Sequence, residues 1–83
     1  MKNTYKNIVI VDDQKDILEM LTTVLSDEPY NIFTAESGIE LIKIMQNKKI
    51  DIIVLDIMMQ WISGYDICRT IRKNDPEHTI KII

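Results

Sequence analysis

One stretch near the middle of the chain most limits how it can fold, and it reads Ile50-Asp51-Ile52-Ile53-Val54-Leu55-Asp56. The continuous run of apolar, mostly β-branched residues predicts a strand buried on both faces, as in the middle of a parallel sheet. In a strand with one solvent-exposed face, apolar and polar residues would alternate. In open α/β sheets, ligands bind at the carboxyl ends of the strands. Asp56 stands at that end and is therefore the first candidate for a functional residue.

Strands and helices alternate along the rest of the chain. The order β-α-β-α-β-α-β predicts a parallel sheet with helices on both faces and right-handed crossovers. A chain of 83 residues is long enough for one domain and no more. No repeat or flexible linker interrupts the pattern. The predicted strands are residues 8–11, 30–34, 50–56 and 79–83.

Three segments have the spacing and end signals of helices. In the first, apolar residues recur at helical spacing, and the sequence Asp27-Glu28-Pro29 stops it. The second opens with a capping box, in which Ser37 caps the helix and Glu40 reaches back. The third begins near Ser63 and is broken at residues 74–76. The apolar residues predicted to line the first helix are Ile17, Leu18, Met20, Leu21, Val24 and Leu25.

Composition and charge narrow the possible functions. The net charge of -3 argues against this segment contacting nucleic acid directly. The single cysteine, Cys68, cannot form an internal disulfide and is expected to be a buried structural thiol. The amino-terminal residues are too short an apolar run for a signal peptide or a membrane span. We therefore expect a cytoplasmic segment that does not contact a membrane.

Carboxylates end two of the predicted strands. Asp12 and Asp13 follow the first strand, and Asp56 ends the third. If these strands are neighbours in a parallel sheet, the carboxylates repel one another at one edge, and a divalent cation relieves that repulsion. Mg²⁺ prefers oxygen ligands of this kind, together with water and phosphate oxygens. Since a lone Asp after a strand is often only a helix cap, the doubled Asp12-Asp13 carries the prediction.

Three motifs in order resemble the receiver domain of bacterial two-component response regulators. They are residues 9–13 (Val-Ile-Val-Asp-Asp), residues 53–59 (Ile-Val-Leu-Asp-Ile-Met-Met) and residues 63–66 (Ser-Gly-Tyr-Asp). The resemblance implies a flavodoxin-like, doubly wound sheet of strand order 2-1-3-4-5. It also implies a signalling phosphoprotein rather than an enzyme.

By this resemblance Asp56 matches the phosphoacceptor, which takes a phosphoryl group from a histidine kinase or phosphotransfer protein. Asp12 and Asp13 match the acidic pair that helps to bind Mg²⁺, and Asp56 and the backbone carbonyl of Met58 would be further ligands. The chemistry is consistent, because a carboxylate can attack phosphorus once the charge on the phosphoryl oxygens is offset.

The sequence departs from the family pattern at two places. Gln60 stands where the family usually has proline, which predicts a looser loop after the third strand. The family's hydroxyl residue after the fourth strand, its lysine after the fifth, and the last α-β-α elements have no counterpart, so residues 1–83 are expected to be a truncated receiver domain. Lys81 lies within the predicted fourth strand and cannot replace that lysine. An apolar edge at residues 80–83 predicts either self-association or a longer protein.

Two other functions remain open from the residues. One is a receiver-like module that binds a partner without switching, which the absent lysine and hydroxyl favour. The other is a phosphohydrolase of the haloacid dehalogenase type, which also places a nucleophilic Asp after an apolar strand. That family expects a second Asp two residues later, where this chain has Met58.

Overall fold

A computed structural model describes the backbone of residues 5–55 and 64–83, and the side chains of residues 5–55 and 68–83. Its strands form one parallel sheet in the order β2-β1-β3-β4, which confirms the predicted doubly wound, flavodoxin-like arrangement. Because β1 lies between β2 and β3, the chain reverses direction across the sheet at β1. The elements are β1 (Lys6–Val11), α1 (Lys15–Leu25), β2 (Tyr30–Ala35), α2 (Gly38–Asn47), β3 (Ile52–Leu55), α3 (Gly64–Asn74) and β4 (Lys81–Ile82).

The central strand β3 is less buried than its sequence predicts. Ile53 and Leu55 are buried, but Ile52 and Val54 on the opposite face are only half-buried. The prediction of burial on both faces is therefore wrong for β3. It is the neighbouring strand β1 that is buried in this way, since residues 8–11 are all buried. The reason is coverage: among the described elements, α1 contacts chiefly β1 and β2, so β3 has a helix layer on one side only.

The main core lies between the sheet and the helices α2 and α3. Leu41 of α2 and Ile71 of α3 are fully buried there, against Val9 of β1 and Ile53 of β3. Cys68 packs against this core, but it is half-buried and not fully buried as the sequence predicted. Ile8 and Ile10 point to the other face, where Leu18 is the buried residue of α1. Burying an aliphatic side chain of this size contributes about 1.5–3 kcal/mol.

Two residues predicted to face the core from α1 do not. The exposed fractions of Met20 and Val24 are 53% and 64%. Helical spacing identifies an apolar side of a helix but not what covers it, and the described strands contact only part of that side. The end of α1 is as predicted, since it stops at Leu25 before the sequence Asp27-Glu28-Pro29.

The helix α2 begins with the predicted cap in altered form. The Glu40 N–H donates to Ser37 Oγ at 3.2 Å, as a capping box requires. The Glu40 carboxylate accepts from the N–H of Glu36, one residue before the cap, and not from Ser37 itself. At its other end α2 continues through Asn47, and Lys48 is its C-cap residue.

At the carboxyl end of the chain, β4 is shorter than predicted. Only Lys81 and Ile82 are strand residues, although hydrogen bonds continue from Ile83 N–H to Ile53 O at 2.9 Å and from Leu55 N–H to Ile83 O at 3.0 Å. Ile80 is buried, whereas 65% of Ile83 is exposed. No helix within residues 5–55 and 64–83 is long and apolar enough to cross a bilayer.

Candidate functional site

The first predicted site residue, Asp12, lies at the carboxyl end of the middle of the sheet. It follows β1 directly, and its N–H donates to Ala35 O at the end of β2 at 3.1 Å. On the other side, Val11 is in register with Leu55, the last residue of β3. Parallel pairing has therefore brought the ends of three consecutive strands to one edge, as the position of Asp12 and Asp13 in the sequence predicted.

The Asp12 carboxylate is buried and held in place. Asp12 is 5% exposed, and its Oδ1 accepts a hydrogen bond from the N–H of Gln14 at 3.0 Å. Gln14 is the cap residue of α1, with an extended backbone and no side-chain cap bond of its own. The start of α1 thus restrains the orientation of the Asp12 carboxylate through the backbone of the connecting loop.

Asp13 differs from its neighbour because its side chain is exposed. A buried and an exposed carboxylate next to each other in the chain fit the oxygen chemistry of Mg²⁺, which commonly keeps several waters and takes only one or two protein carboxylates. Among the side chains described for residues 5–55 and 68–83, no three His, Cys, Asp or Glu groups come together as a metal cluster. Asp56 and the carbonyl of Met58 lie outside the described residues, as do Gln60 and Ser63.

The surroundings of this edge carry charges of both signs. Lys15, in the first turn of α1, has its Nζ 3.9 Å from Glu36 Oε1, and the exposed fractions of the two side chains are 79% and 42%. An exposed ion pair of this length contributes roughly 0–1 kcal/mol, so it does little to fix the site.

Asp75 is a second buried carboxylate, and it accepts several hydrogen bonds. The sequence did not predict this role, because residues 74–76 indicated only the end of a helix. Asp75 is 7% exposed, and donors from the α3–β4 connection surround it. Its Oδ2 accepts from Ile80 N–H at 2.9 Å and from Arg72 Nη1 at 3.1 Å. Its Oδ1 accepts from Thr79 N–H at 3.0 Å and Thr79 Oγ1 at 2.8 Å.

These bonds lower the pKa of Asp75 from its ordinary value of 3.8, and the Ile80 N–H has the largest effect. Burial opposes the shift by raising the pKa, while Thr79 and the positive charge of Arg72 lower it further. Arg72 Nη1 also donates to Ile80 O at 2.8 Å, so it ties α3 to the residue before β4. The signal available in the sequence was Asp75 before Pro76 at a helix end, a frequent turn.

The amino end of the sheet has a polar network of its own. Asn7 N–H donates to Asp51 Oδ2 at 2.8 Å, and Asn7 Nδ2 donates to Lys49 O at 2.7 Å. Asn31 Nδ2 donates to Asn7 Oδ1 at 3.0 Å and so extends the network to β2. These bonds join the starts of β2, β1 and β3, at the opposite end of the strands from Asp12.

Comparisons with a family model and with known proteins point to the same protein family. The family model for the response regulator receiver domain matches residues 8–83. The transcriptional regulatory protein YvrH of Bacillus subtilis is 46% identical over 68 residues, which are 81% of this chain and 29% of that protein. The chain thus spans under a third of the length of this relative.

Solved structures of response regulators superpose on this chain. The chemotaxis protein CheY4 of Vibrio cholerae superposes with a TM-score of 0.87 at 25% identity, covering 95% of this chain and 66% of that one. The response regulator TrrA of Thermotoga maritima, solved in complex with Mg²⁺ and BeF, is 40% identical with a TM-score of 0.81, covering 93% of this chain and 65% of that one. TrrA has also been solved in complex with the histidine kinase ThkA.

Proposed function

Because this chain belongs to the response regulator receiver domain family, we propose that it accepts a phosphoryl group on Asp56 from a histidine kinase or phosphotransfer protein. The observation that carries the proposal is the buried Asp12 at the carboxyl edge, with Val11 in register with Leu55. In the sequence, Asp12 and Asp56 are the next residues after this pair. Two acidic residues therefore follow a matched point on neighbouring strands.

In the proposed reaction, a carboxylate oxygen of Asp56 forms a bond to phosphorus as the bond to the donor histidine nitrogen breaks. The donor leaves with the electron pair of that bond, and the product is an aspartyl phosphate. Asp12, Asp13, Asp56 and the Met58 carbonyl would hold Mg²⁺, which when bound supplies positive charge beside the carboxylates and phosphoryl oxygens. Asp12 is restrained by Gln14 N–H, so its orientation does not have to be established during the transfer.

Two features of the relatives support the metal and the donor. TrrA was solved with Mg²⁺ and BeF, and with the histidine kinase ThkA, and it shares 40% of its aligned residues with this chain. The chemistry of the described residues is compatible, because Asp12 and Asp13 present hard oxygen ligands at the edge where the strands end.

The test is phosphorylation of the chain with acetyl phosphate in the presence of Mg²⁺, followed by intact mass measurement. We expect the mass of one added phosphoryl group, lost on treatment with hydroxylamine, as an acyl phosphate would be. Asp56→Asn should abolish the gain, and removal of Mg²⁺ with EDTA should do the same. Asp27→Asn, at an exposed turn carboxylate, is the matched control and should keep it.

A chain that folds, binds Mg²⁺ and gains no phosphoryl group under these conditions would contradict the proposal and favour a module that binds a partner without phosphorylation. Gain of mass at a residue other than Asp56 would contradict the assignment of the acceptor.

A further inference from the structure

A groove of about 670 Å³ lies along the outer flank of the sheet, between α1, β2 and the start of α2. Leu18 of α1 and Ile32 of β2 provide apolar lining, and Thr34 lies further along the same strand. The groove is on the α1 face of the sheet, because Ile32 and Thr34 are in register with Ile8 and Ile10. It does not include Asp12 or Asp13.

The backbone beside this groove has an open edge. In the described part of the sheet, β2 is a terminal strand and pairs with β1 alone. Ala35 O accepts from Asp12 N–H, so Ala35 directs its backbone groups toward β1. Backbone groups alternate in direction along a strand, and those of Ile32 and Thr34 therefore point away from β1. The side chains that line the groove and the outward N–H and C=O groups thus belong to the same two residues.

This edge lacks the usual features that prevent strand pairing. The sequence of β2 is Tyr-Asn-Ile-Phe-Thr-Ala and contains no charge and no proline. Natural proteins commonly protect an edge strand with lysine, proline or a bulge, since an unprotected edge pairs with another chain. At six residues, β2 is also as long as β1.

The charges around the groove indicate which partner would fit. Glu19, Glu36 and Glu40 line it, and Lys15 is the only basic residue among the described residues of its lining. The Lys15 Nζ is already 3.9 Å from Glu36 Oε1. The carboxylate of Glu40 is held in place by the Glu36 N–H. The net charge of the whole chain, -3, has the same sign. A segment with lysine or arginine side chains is therefore electrostatically complementary to the groove.

We propose that the groove binds an extended, basic segment of another polypeptide, which adds to the free edge of β2 as a further strand. Its backbone would pair with the outward N–H and C=O groups of Ile32 and Thr34. Its alternate apolar side chains would contact Leu18 and Ile32, and its basic side chains would lie near Glu19, Glu36 and Glu40. The proposal does not rest on phosphorylation of Asp56, so either can fail without the other.

The test uses the whole 83-residue chain and a short peptide in which valine alternates with threonine between paired terminal lysines. We expect binding by fluorescence anisotropy, weaker at high salt. In NMR spectra, the largest amide shifts should fall on residues 30–35. The same peptide ending in glutamates should not bind, nor should the lysine peptide after N-methylation of alternate backbone amides.

Variants of the chain sharpen the test. Glu19→Lys should weaken binding by about fivefold because it places like charges together. Glu77→Lys, with the same charge change at an exposed residue of the α3–β4 connection, should leave the affinity unchanged. Thr34→Pro should abolish binding while keeping the ladder to β1, because the N–H that it removes points outward. Circular dichroism would verify its fold, and the N-methylated peptide supplies the same test on the native chain.

Three outcomes would overturn the proposal: equal binding of the glutamate peptide, shifts centred on α3 or β4, or equal loss of affinity in Glu77→Lys. Concentration-dependent shifts of residues 30–35 without peptide would also overturn it, since the occupant would then be a second copy of this chain.

Discussion

Asp12 and Asp75 are the two buried charged residues in the described part of the chain, and their surroundings differ. Asp75 accepts hydrogen bonds on both oxygens, from partners no more than five residues away, and lies beside the positive charge of Arg72. Asp12 accepts from Gln14 N–H and is followed by a second carboxylate, Asp13. Burial of a carboxylate is therefore not itself a sign of function, because Asp75 is neutralised by Arg72 of α3, whereas Asp12 is followed by a second carboxylate.

The largest effect, on Mg²⁺ affinity, is expected from removing the Asp12 carboxylate at the carboxyl edge of the sheet. Asp12→Asn should lower the affinity for Mg²⁺ by more than about tenfold, because it removes a carboxylate ligand. The metal-free melting temperature should change little, since the Asn carbonyl can still accept from Gln14 N–H. Isothermal titration calorimetry measures the affinity, and Asp16→Asn, an exposed acidic residue in the first turn of α1, is the control. Unchanged affinity in Asp12→Asn would contradict a metal site here.

Asp75→Asn should have the opposite pattern. An amide has one acceptor oxygen, so it cannot serve the donors that now converge on both carboxylate oxygens, and a buried N–H is left without its partner. We expect the melting temperature to fall by several degrees. The Mg²⁺ affinity should stay within about twofold of that of the parent chain, since Asp12 and Asp13 are unchanged. Glu77→Gln, exposed in the same loop, should melt like the parent chain. A loss of Mg²⁺ affinity in Asp75→Asn would show that the two sites are coupled.

The pH dependence of stability tests the hydrogen bonds that hold the Asp75 carboxylate. The folded chain lowers the pKa of Asp75 below 3.8, so the ionised form is favoured by folding. Its contribution is therefore present above pH 3.8 and is lost as the pH falls through the lower, folded pKa. The difference in unfolding free energy between the parent chain and Asp75→Asn should shrink in that range. Urea unfolding at a series of pH values measures it, and a constant difference would exclude a titrating Asp75.

The smallest effect concerns the loop that brings donors to Asp75. His78 has a φ of 55°, in the left-handed region that disfavours most side chains, and its N–H donates to Asp75 O at 3.0 Å. Because Asn tolerates this conformation better, His78→Asn should raise the unfolding free energy by roughly 0.5–1 kcal/mol. Chemical denaturation measures the change. His78→Ala is the control, because alanine is also disfavoured at a positive φ. A destabilised His78→Asn would mean that the histidine ring has a stabilising contact that outweighs it.

Much of the fold could be predicted because local patterns and their tertiary environment agree. Residues 8–11 were predicted as a strand, which the structure contains, and all four of them are buried. Ser37 predicted the start of α2, and the cap bond is present. The exposure of Met20 and Val24 was not predictable, because the spacing of apolar residues along a helix does not tell which neighbours reach them.

The candidate site was predictable only in part. Asp12 was singled out because it follows a strand, and it lies at the edge of the sheet as expected. The roles of Asp12, Asp13, Asp56 and the Met58 carbonyl in binding Mg²⁺, and of Asp56 as acceptor, remain predictions. Asp75 was missed because its donors become partners only when the loop after α3 folds back toward its carboxylate.

The sequence by itself determined the order of strands and helices, the family, and the acidic residues that follow two apolar runs, because each depends on a local pattern or motif. Only the tertiary structure decided which of the acidic residues are enclosed, which faces of β3 are covered and which side chains line the groove beside β2. These depend on contacts between residues far apart in the chain, such as Val11 with Leu55 or Asn7 with Asp51. Local sequence patterns do not encode such distances, and so the burial of Asp12 and Asp75 becomes apparent only when the chain is folded.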